Sequence, residues 1–433
     1  MIGLFRKNVK IGLEHFKAFI RWSILASITG LVVGAFSTLF SHLMTWATNF
    51  RTEHTIIILF LPLAGVVIVL LYHLFHMEKD KGTNKVISTV NADDSEGIPF
   101  QMAPLIIVAT VLTHLFGGSA GREGAALQLG GSLGHKIGKL LRLDEDDMKV
   151  IVMAGMSAAF SALFGTPMAA AIFPIEMVCV GSLYYVALVP CVFASIIACN
   201  FAATMGINPE AFTITSVPDL SFITAGKVII LGILCGMVSV FFCFIMHNVS
   251  DLYNKYFKNA YIKIIVGGII IAALTFLLGT TDYNGAGIPI IERAMEGEVV
   301  PYAFLLKIVF TAITLGAGFK GGEIVPTFFI GSTFGCLIGQ VLGISPSLCA
   351  ALGLIGVFCG ATNCPVSSML ISFELFGYEG VIYFLMVVSI SYMISGYSSL
   401  YHNQKIVYSK YKAVLRNDEH SATKNEQEKK SDK

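Results

Sequence analysis

From Ser23 the chain reads SILASITGLVVGAFSTLFSHLM, 22 residues without an Asp, Glu, Lys or Arg. IIILFLPLAGVVIVLLYHLF from Ile56 is equally uncharged, and KVIILGILCGMVSVFFCFIM from Lys227 carries a charge only at its first residue. Runs of about 20 apolar residues are long enough to cross the hydrocarbon core of a bilayer as helices. Several such runs in one chain point to an all-α polytopic membrane protein. A transmembrane barrel would show only weak alternation in short segments. Composition agrees, with 13% charged residues against roughly 25% in soluble domains.

The same composition removes several classes of function. A net charge of +1 offers no electrostatic basis for nucleic-acid binding. Nine cysteines lie mostly inside apolar runs with no CxxC pair, so they read as small core residues rather than metal ligands. An intramembrane enzyme is the alternative from another class, but HExxH is missing and the histidines do not cluster. No cofactor or metal is implied. Arg6, Lys7, Lys10, Lys17 and Arg21 precede the first span, which predicts a cytoplasmic N-terminus. The stretch from about Arg416 to Lys433 is polar throughout and reads as a disordered tail.

The chain also repeats itself. Gly30-Leu-Val-Val-Gly34 in the first half corresponds to Gly232-Ile-Leu-Cys-Gly236 in the second. Gly34 lies 89 residues before Glu123, and Gly236 lies 87 before Glu323. Each glutamate is followed by Gly-Ser eight and nine residues on. Phe160, Pro167 and Glu176 are spaced 7 and 9, as are Phe358, Pro365 and Glu374. Two repeats within one membrane protein suggest a transporter or channel with its site between them.

GGSAGREGAA, GFKGGEIVP and KGTNKVI interrupt the hydrophobic pattern. At membrane depth, broken backbone is tolerated where it lines a cavity or packs in protein. The first two stretches lead into apolar helical patterns and so read as loops feeding helix N-termini; the third is less clear. Helix starts offer free N–H groups and partial positive charge, which suits a transiently held anion. A carboxylate there, such as Glu123, can occupy the anion's place and vacate it on taking up a proton. The same residue also fits a first-turn acid that merely complements the helix dipole.

These motifs resemble those of the CLC family of chloride channels and proton-coupled anion exchangers. GREGAALQ resembles its G-[KR]-E-G-P motif, with Ala125 where proline is usual. GGEIVP, ending at Pro326, resembles its G-x-F-x-P motif, and GTNKVI stands where the family has G-S-G-x-P. The resemblance runs from about Ser23 to Gln404. It implies two inverted repeats of broken helices meeting at a central anion site, in a homodimer with one pore per subunit. It further implies a multi-pass cell-membrane protein with both termini cytoplasmic, whose partners are an inorganic anion, protons and the lipid bilayer. The expected divisions are an N-terminal segment 1–22, repeats at 23–222 and 223–404, and a polar tail at 405–433.

Carried over by position, Glu123 matches the gating glutamate, and Asn84 the pore position that is serine in chloride-type members. Ile324 and Val325 match the backbone donors to the central ion, and Tyr401 the tyrosine closing the inner side. Asn84, Glu323 and Met177 depart from the chloride pattern in ways that resemble the family's fluoride-exporting branch, although Val325 stands where that branch has threonine. Glu323 joins Glu123 as a gating or proton-transfer residue. A fluoride/proton antiporter is therefore the expected function, with a chloride channel or chloride/proton exchanger as the alternative. Competing structural readings make Asn84 a helix N-cap and Glu323 an ion-pair partner of Lys307 or Lys320. They also make His114 a packed histidine, and Glu176 and Glu374 helix-end acids.

Overall fold

A computed structural model describes residues 2–91, 97–412 and 414–415, with side chains from residue 10 onward. Most of the polar tail, including all of 416–433, lies outside the described residues, as do the side chains of Arg6 and Lys7. The sequence repeat becomes a repeat of eight helices. The first set is α1 (Ile2–Glu53), α2 (Leu61–Leu74), α3 (Thr83–Val90), α4 (Met102–Leu115), α5 (Glu123–Leu140), α6 (Glu145–Phe164), α7 (Pro167–Val178) and α8 (Leu188–Thr204). The second set is α9 (Phe222–Tyr256), α10 (Ala260–Leu278), α11 (Ile288–Met295), α12 (Ala303–Gly316), α13 (Ile324–Leu342), α14 (Pro346–Thr362), α15 (Pro365–Phe376) and α16 (Val381–Ile394). Three of the corresponding pairs match in length: α3 and α11 have 8 residues each, α4 and α12 have 14, and α7 and α15 have 12.

Among the described residues, seven segments are long and apolar enough to cross a membrane. The 52 residues of α1 would extend about 78 Å at the helical rise. That exceeds the roughly 45 Å of a bilayer with its headgroups. Residues 10–21 of α1 are exposed, and its packed contacts begin near Trp22. The boundary expected at residue 22 thus falls within one continuous helix.

The GxxxG pairs are helix seats. Gly30 and Gly34 lie against Ala194 and Ala198 of α8, and a Cβ at Gly30 would come within 2.8 Å of the Ala194 carbonyl oxygen. In the second set, Gly232 and Gly236 lie against Ile390 and Ile394 of α16, 2.7 Å being the clearance for a Cβ at Gly236. Small residues allow this close approach, which drives helix association in lipid.

The two halves are also stitched to each other by carboxylates. Glu176, at the end of α7, accepts hydrogen bonds from Val366 N (2.9 Å), Ser367 N (2.8 Å) and Ser367 Oγ (2.6 Å), capping the start of α15. Glu374 of α15 returns the contact, accepting from Met168 N (2.7 Å) and Ala169 N (2.9 Å) at the start of α7. The local N-cap residues, Thr166 and Cys364, make no side-chain cap. The two glutamates are therefore helix-end acids, each serving the other repeat's helix. A short parallel pair, β1 (Cys179–Val180) with β2 (Lys405–Ile406), fastens the chain after α16 to the end of α7.

Glu176→Ala leaves two backbone donors and a hydroxyl without acceptors, a loss of about 3 kcal/mol. Thermal unfolding in detergent is expected to show Glu176→Ala as less stable than Glu374→Ala, whose site is partly exposed. A Glu176→Ala melting curve matching the wild type would contradict the cross-capping role.

Candidate functional site

The loops before α5 and α13 meet as a two-residue ladder. Gly121 N donates to Gly322 O at 2.7 Å, and Gly322 N donates to Gly121 O at 2.8 Å. The contact leaves no room for side chains. A Cβ on Gly322 would collide with Gly124 N and sit 3.0 Å from Gly124 Cα and 3.3 Å from Glu123 N. The pairing brings the two helix starts together. Among the described residues, the N–H groups of Glu123, Gly124 and Ala125 on one side, and of Ile324 and Val325 on the other, have no carbonyl acceptor, as the first turn of a helix requires.

Both expected acids lie at this junction, each against the other repeat. Glu123 is fully buried. Its Oε2 accepts from Arg122 N at 3.0 Å, and Oε1 has no hydrogen-bond partner among the described residues. Oε2 comes within 2.9 Å of where a Gly121 Cβ would be, a point 3.1 Å from the Val325 side chain of α13. Glu323 is partly buried, with its Oε2 inaccessible and also unpartnered. That oxygen is 3.2 Å from the Cβ position of Gly124, in the first turn of α5. Neither lysine proposed as its partner reaches it. Lys307 Nζ donates to Tyr283 O and Gly285 O, and Lys320 Nζ pairs with Asp80 at 3.3 Å.

Arg122 stands beside Glu123 and divides its guanidinium between that acid and other partners. Its Nε is 3.4 Å from Glu123 Oε1, while Nη2 pairs with Glu210 at 2.8 Å and with Leu163 O at 3.2 Å. Burial raises the Glu210 carboxyl above the usual carboxylate range, and Arg122 opposes that shift. No sequence signal marked Glu210, which lies in the connection between α8 and α9.

Asn84 and Tyr401, the other expected site residues, lie in the first turn of α3 and in the segment after α16. The less certain third loop does feed a helix, α3, whose N-cap is Gly82. Asn84 is therefore not the cap. Its Oδ1 instead accepts from Asn403 N at 3.2 Å, and Asn403 Nδ2 donates to Asn84 O at 3.1 Å. Thr83 Oγ1 reaches Gly124 O at 3.4 Å, tying α3 to the start of α5. Tyr401 is buried, its Oη has no hydrogen-bond partner among the described residues, and its phenol lies within electrostatic range of Glu323.

Two cavities approach this cluster, with no lining residue in common. One of about 290 Å³ reaches Glu123 and Val325 past Arg51, Arg122 and Glu210. The other, about 600 Å³, reaches Tyr401 past His247 and His402. His114 lines the first cavity, with Nδ1 against Thr110 O at 3.0 Å. It packs on its own helix and does not join the acids.

Residues 64–396 match the family model described as voltage gated chloride channel. A chloride/fluoride channel protein of Pseudomonas syringae pv. tomato is 34% identical over 95% of this chain and 92% of its own. A Vibrio cholerae H(+)/Cl(-) exchange transporter, ClcA, is 26% identical over 88% of this chain and 90% of its own. Among solved structures, a CLC-type fluoride/proton antiporter superposes with a TM-score of 0.86 at 32% identity, covering 89% of this chain and 98% of that one.

Gly322→Ala is expected to force the paired loops apart and destabilise the protein by about 1–3 kcal/mol. Gly226→Ala serves as the control, since a Cβ there meets nothing within 4 Å. Equal melting temperatures for the two variants would contradict the tight pairing.

Proposed function

The chain belongs to the voltage-gated chloride channel family, and on that premise we propose that it is a proton-coupled anion transporter, a fluoride/proton antiporter that exports fluoride. It is a transporter rather than an enzyme, and a multi-pass membrane protein. One observation carries the reading: two carboxyl groups, Glu123 and Glu323, sit at the paired starts of α5 and α13, each with one oxygen that has no hydrogen-bond partner among the described residues.

In this reading the anion is held by N–H groups at the starts of α5 and α13, those of Ile324 and Val325 included. The Asn84 amide and the Tyr401 hydroxyl add donors. These are dipoles rather than full positive charges, so the ion can leave as well as bind. The Glu123 carboxylate competes with the anion for the same donors. Taking up a proton removes its charge and gives the anion its place; releasing that proton on the other side returns the carboxylate. Protons and anions thus move in opposite directions.

Glu323 favours fluoride over chloride. A charged acid there would repel any anion, whereas its neutral form is an O–H donor suited to the strongest acceptor among the halides. The Asn84 amide offers two donors where a serine offers one. Fluoride sheds its water reluctantly, and a site rich in strong donors replaces it. The 32% identity to a fluoride/proton antiporter supports the same choice. The protein works as a homodimer with one pore per subunit and with both termini cytoplasmic, as Lys10, Lys17 and Arg21 in the exposed start of α1 suggest. Its working halves are 23–222 and 223–404.

Purified protein in liposomes provides the test. Fluoride efflux is expected to outpace chloride efflux and to drive proton uptake. Chloride efflux at the fluoride rate would favour a chloride channel or exchanger instead. Glu123→Gln is expected to abolish proton uptake, because the amide cannot exchange a proton.

Glu323→Gln is expected to keep the fold but slow fluoride efflux by roughly tenfold or more, and Glu323→Ala should be at least as damaging. Well-folded Glu323→Ala protein exporting fluoride at the wild-type rate would remove Glu323 from the site.

A further inference from the structure

Asn403 makes two hydrogen bonds to Asn84 across 319 residues of sequence, one from its backbone and one from its side chain. The two bonds act differently. A primary amide has an acceptor end and a donor end, and its orientation is set by what each end faces. Asn403 N–H faces Asn84 Oδ1. Rotating the Asn84 amide by half a turn would set its NH2 against that N–H, donor against donor. The backbone of Asn403 therefore fixes which end of Asn84 points away, and that end is the NH2 group. Asn84 Nδ2 has no acceptor among the described residues. The side-chain bond from Asn403 Nδ2 to Asn84 O holds the two residues in register.

Asn403 is itself anchored. Its carbonyl accepts from Asn91 Nδ2 at 3.3 Å, and Asn91 Nδ2 also reaches Val178 O at 3.2 Å. The next residue, Gln404, donates to Met177 O at 2.9 Å and Thr362 O at 2.8 Å, the ends of α7 and α14. Gln404 Oε1 accepts from Ser399 Oγ at 2.7 Å and Asn363 Nδ2 at 3.1 Å. The strut that meets Asn84 is thus braced against both repeats, and it begins two residues after Tyr401.

We propose that Asn403 is a positioning residue that locks the Asn84 amide with its donors facing the anion path, and so sets the preference for fluoride over chloride. The inference rests on the reading of Asn84 as an anion donor. A loosened amide presents its oxygen part of the time, which repels an anion and cancels the advantage of two N–H donors. Asn403 touches no ion itself and acts through Asn84.

The test is a cycle of variants in proteoliposomes, reading the ratio of fluoride to chloride efflux on monodisperse preparations. Asn84→Ser is expected to lower the ratio. Asn403→Ala keeps the backbone N–H but removes the side-chain bond that holds it in register with Asn84 Oδ1, and is expected to lower the ratio about five- to tenfold, the worth of one lost hydrogen bond. In the Asn84→Ser background, Asn403→Ala should have no further effect on the ratio, because the amide it orients is gone. If Asn403→Ala is not monodisperse, Asn403→Ser, with a donor of shorter reach, carries the same comparison. An unchanged ratio in the Asn403 variant beside a lowered one in Asn84→Ser would overturn the inference and leave the anion site standing. Equal falls in both backgrounds would also overturn it, since Asn403 would then act elsewhere. An unchanged ratio in Asn84→Ser would remove both the donor role of Asn84 and the inference built on it.

Discussion

Two hydrogen bonds between glycines, Gly121 with Gly322 in both directions, fix the centre of this molecule. They decide where α5 and α13 begin, and hence where the unsatisfied N–H groups of two helices converge. Each half supplies a partial positive pole, and the pairing adds the two together. The nearest guanidinium, that of Arg122, is spent largely on Glu210 and a carbonyl. An anion here meets dipoles, with the fixed cation held to one side. The absence of side chains at the junction is what allows this, since a single methyl on Gly322 would occupy the space of the opposite helix start.

Duplication supplies the scaffold, and the differences between copies supply direction. Helix order, glycine seats and reciprocal caps recur. The acids do not have equivalent surroundings: Glu123 has Arg122 beside it, whereas Glu323 follows a glycine and has no ion pair among the described residues. Likewise α3 and α11 match in length, yet it is α3 that carries Asn84 to the segment after Tyr401. A symmetric site would treat both faces of the membrane alike. These local departures make its two ends chemically distinct.

Much of this was legible because it broke a pattern. Glu123 and Glu323 stood out as carboxylates among glycines in apolar surroundings, and the spacing around them exposed the repeat. The glycine pairs at residues 30 and 34 and at 232 and 236 were visible as a repeated motif, and their packing partners were not. Asn403 and Glu210 gave no signal, since a polar residue in a connecting loop is ordinary. Their roles come from contacts with residues 319 and 88 positions away. Glu176 and Glu374 were recognisable as helix-end acids, but the sequence did not show which helices they cap, and the caps they make are on each other's. The third loop was ambiguous because eight residues of α3 are too few to show a helical period. Sequence also suggested a lysine partner for Glu323, which failed because Lys307 and Lys320 are engaged by carbonyls and by Asp80.

The exchanged caps have a consequence in time. When a ribosome delivers the chain from its N-terminus, the start of α7 emerges long before Glu374, which lies 206 residues beyond Met168. At roughly 5–20 residues per second, that gap lasts on the order of 10–40 s. Throughout it, the first half sits in the bilayer with a helix end whose acceptor has not yet been synthesised. The nascent half-protein is therefore an intermediate that must be kept waiting by lipid, water or the insertion machinery. The carboxylates that finally close it make completion of the second half the event that commits the first to its native form.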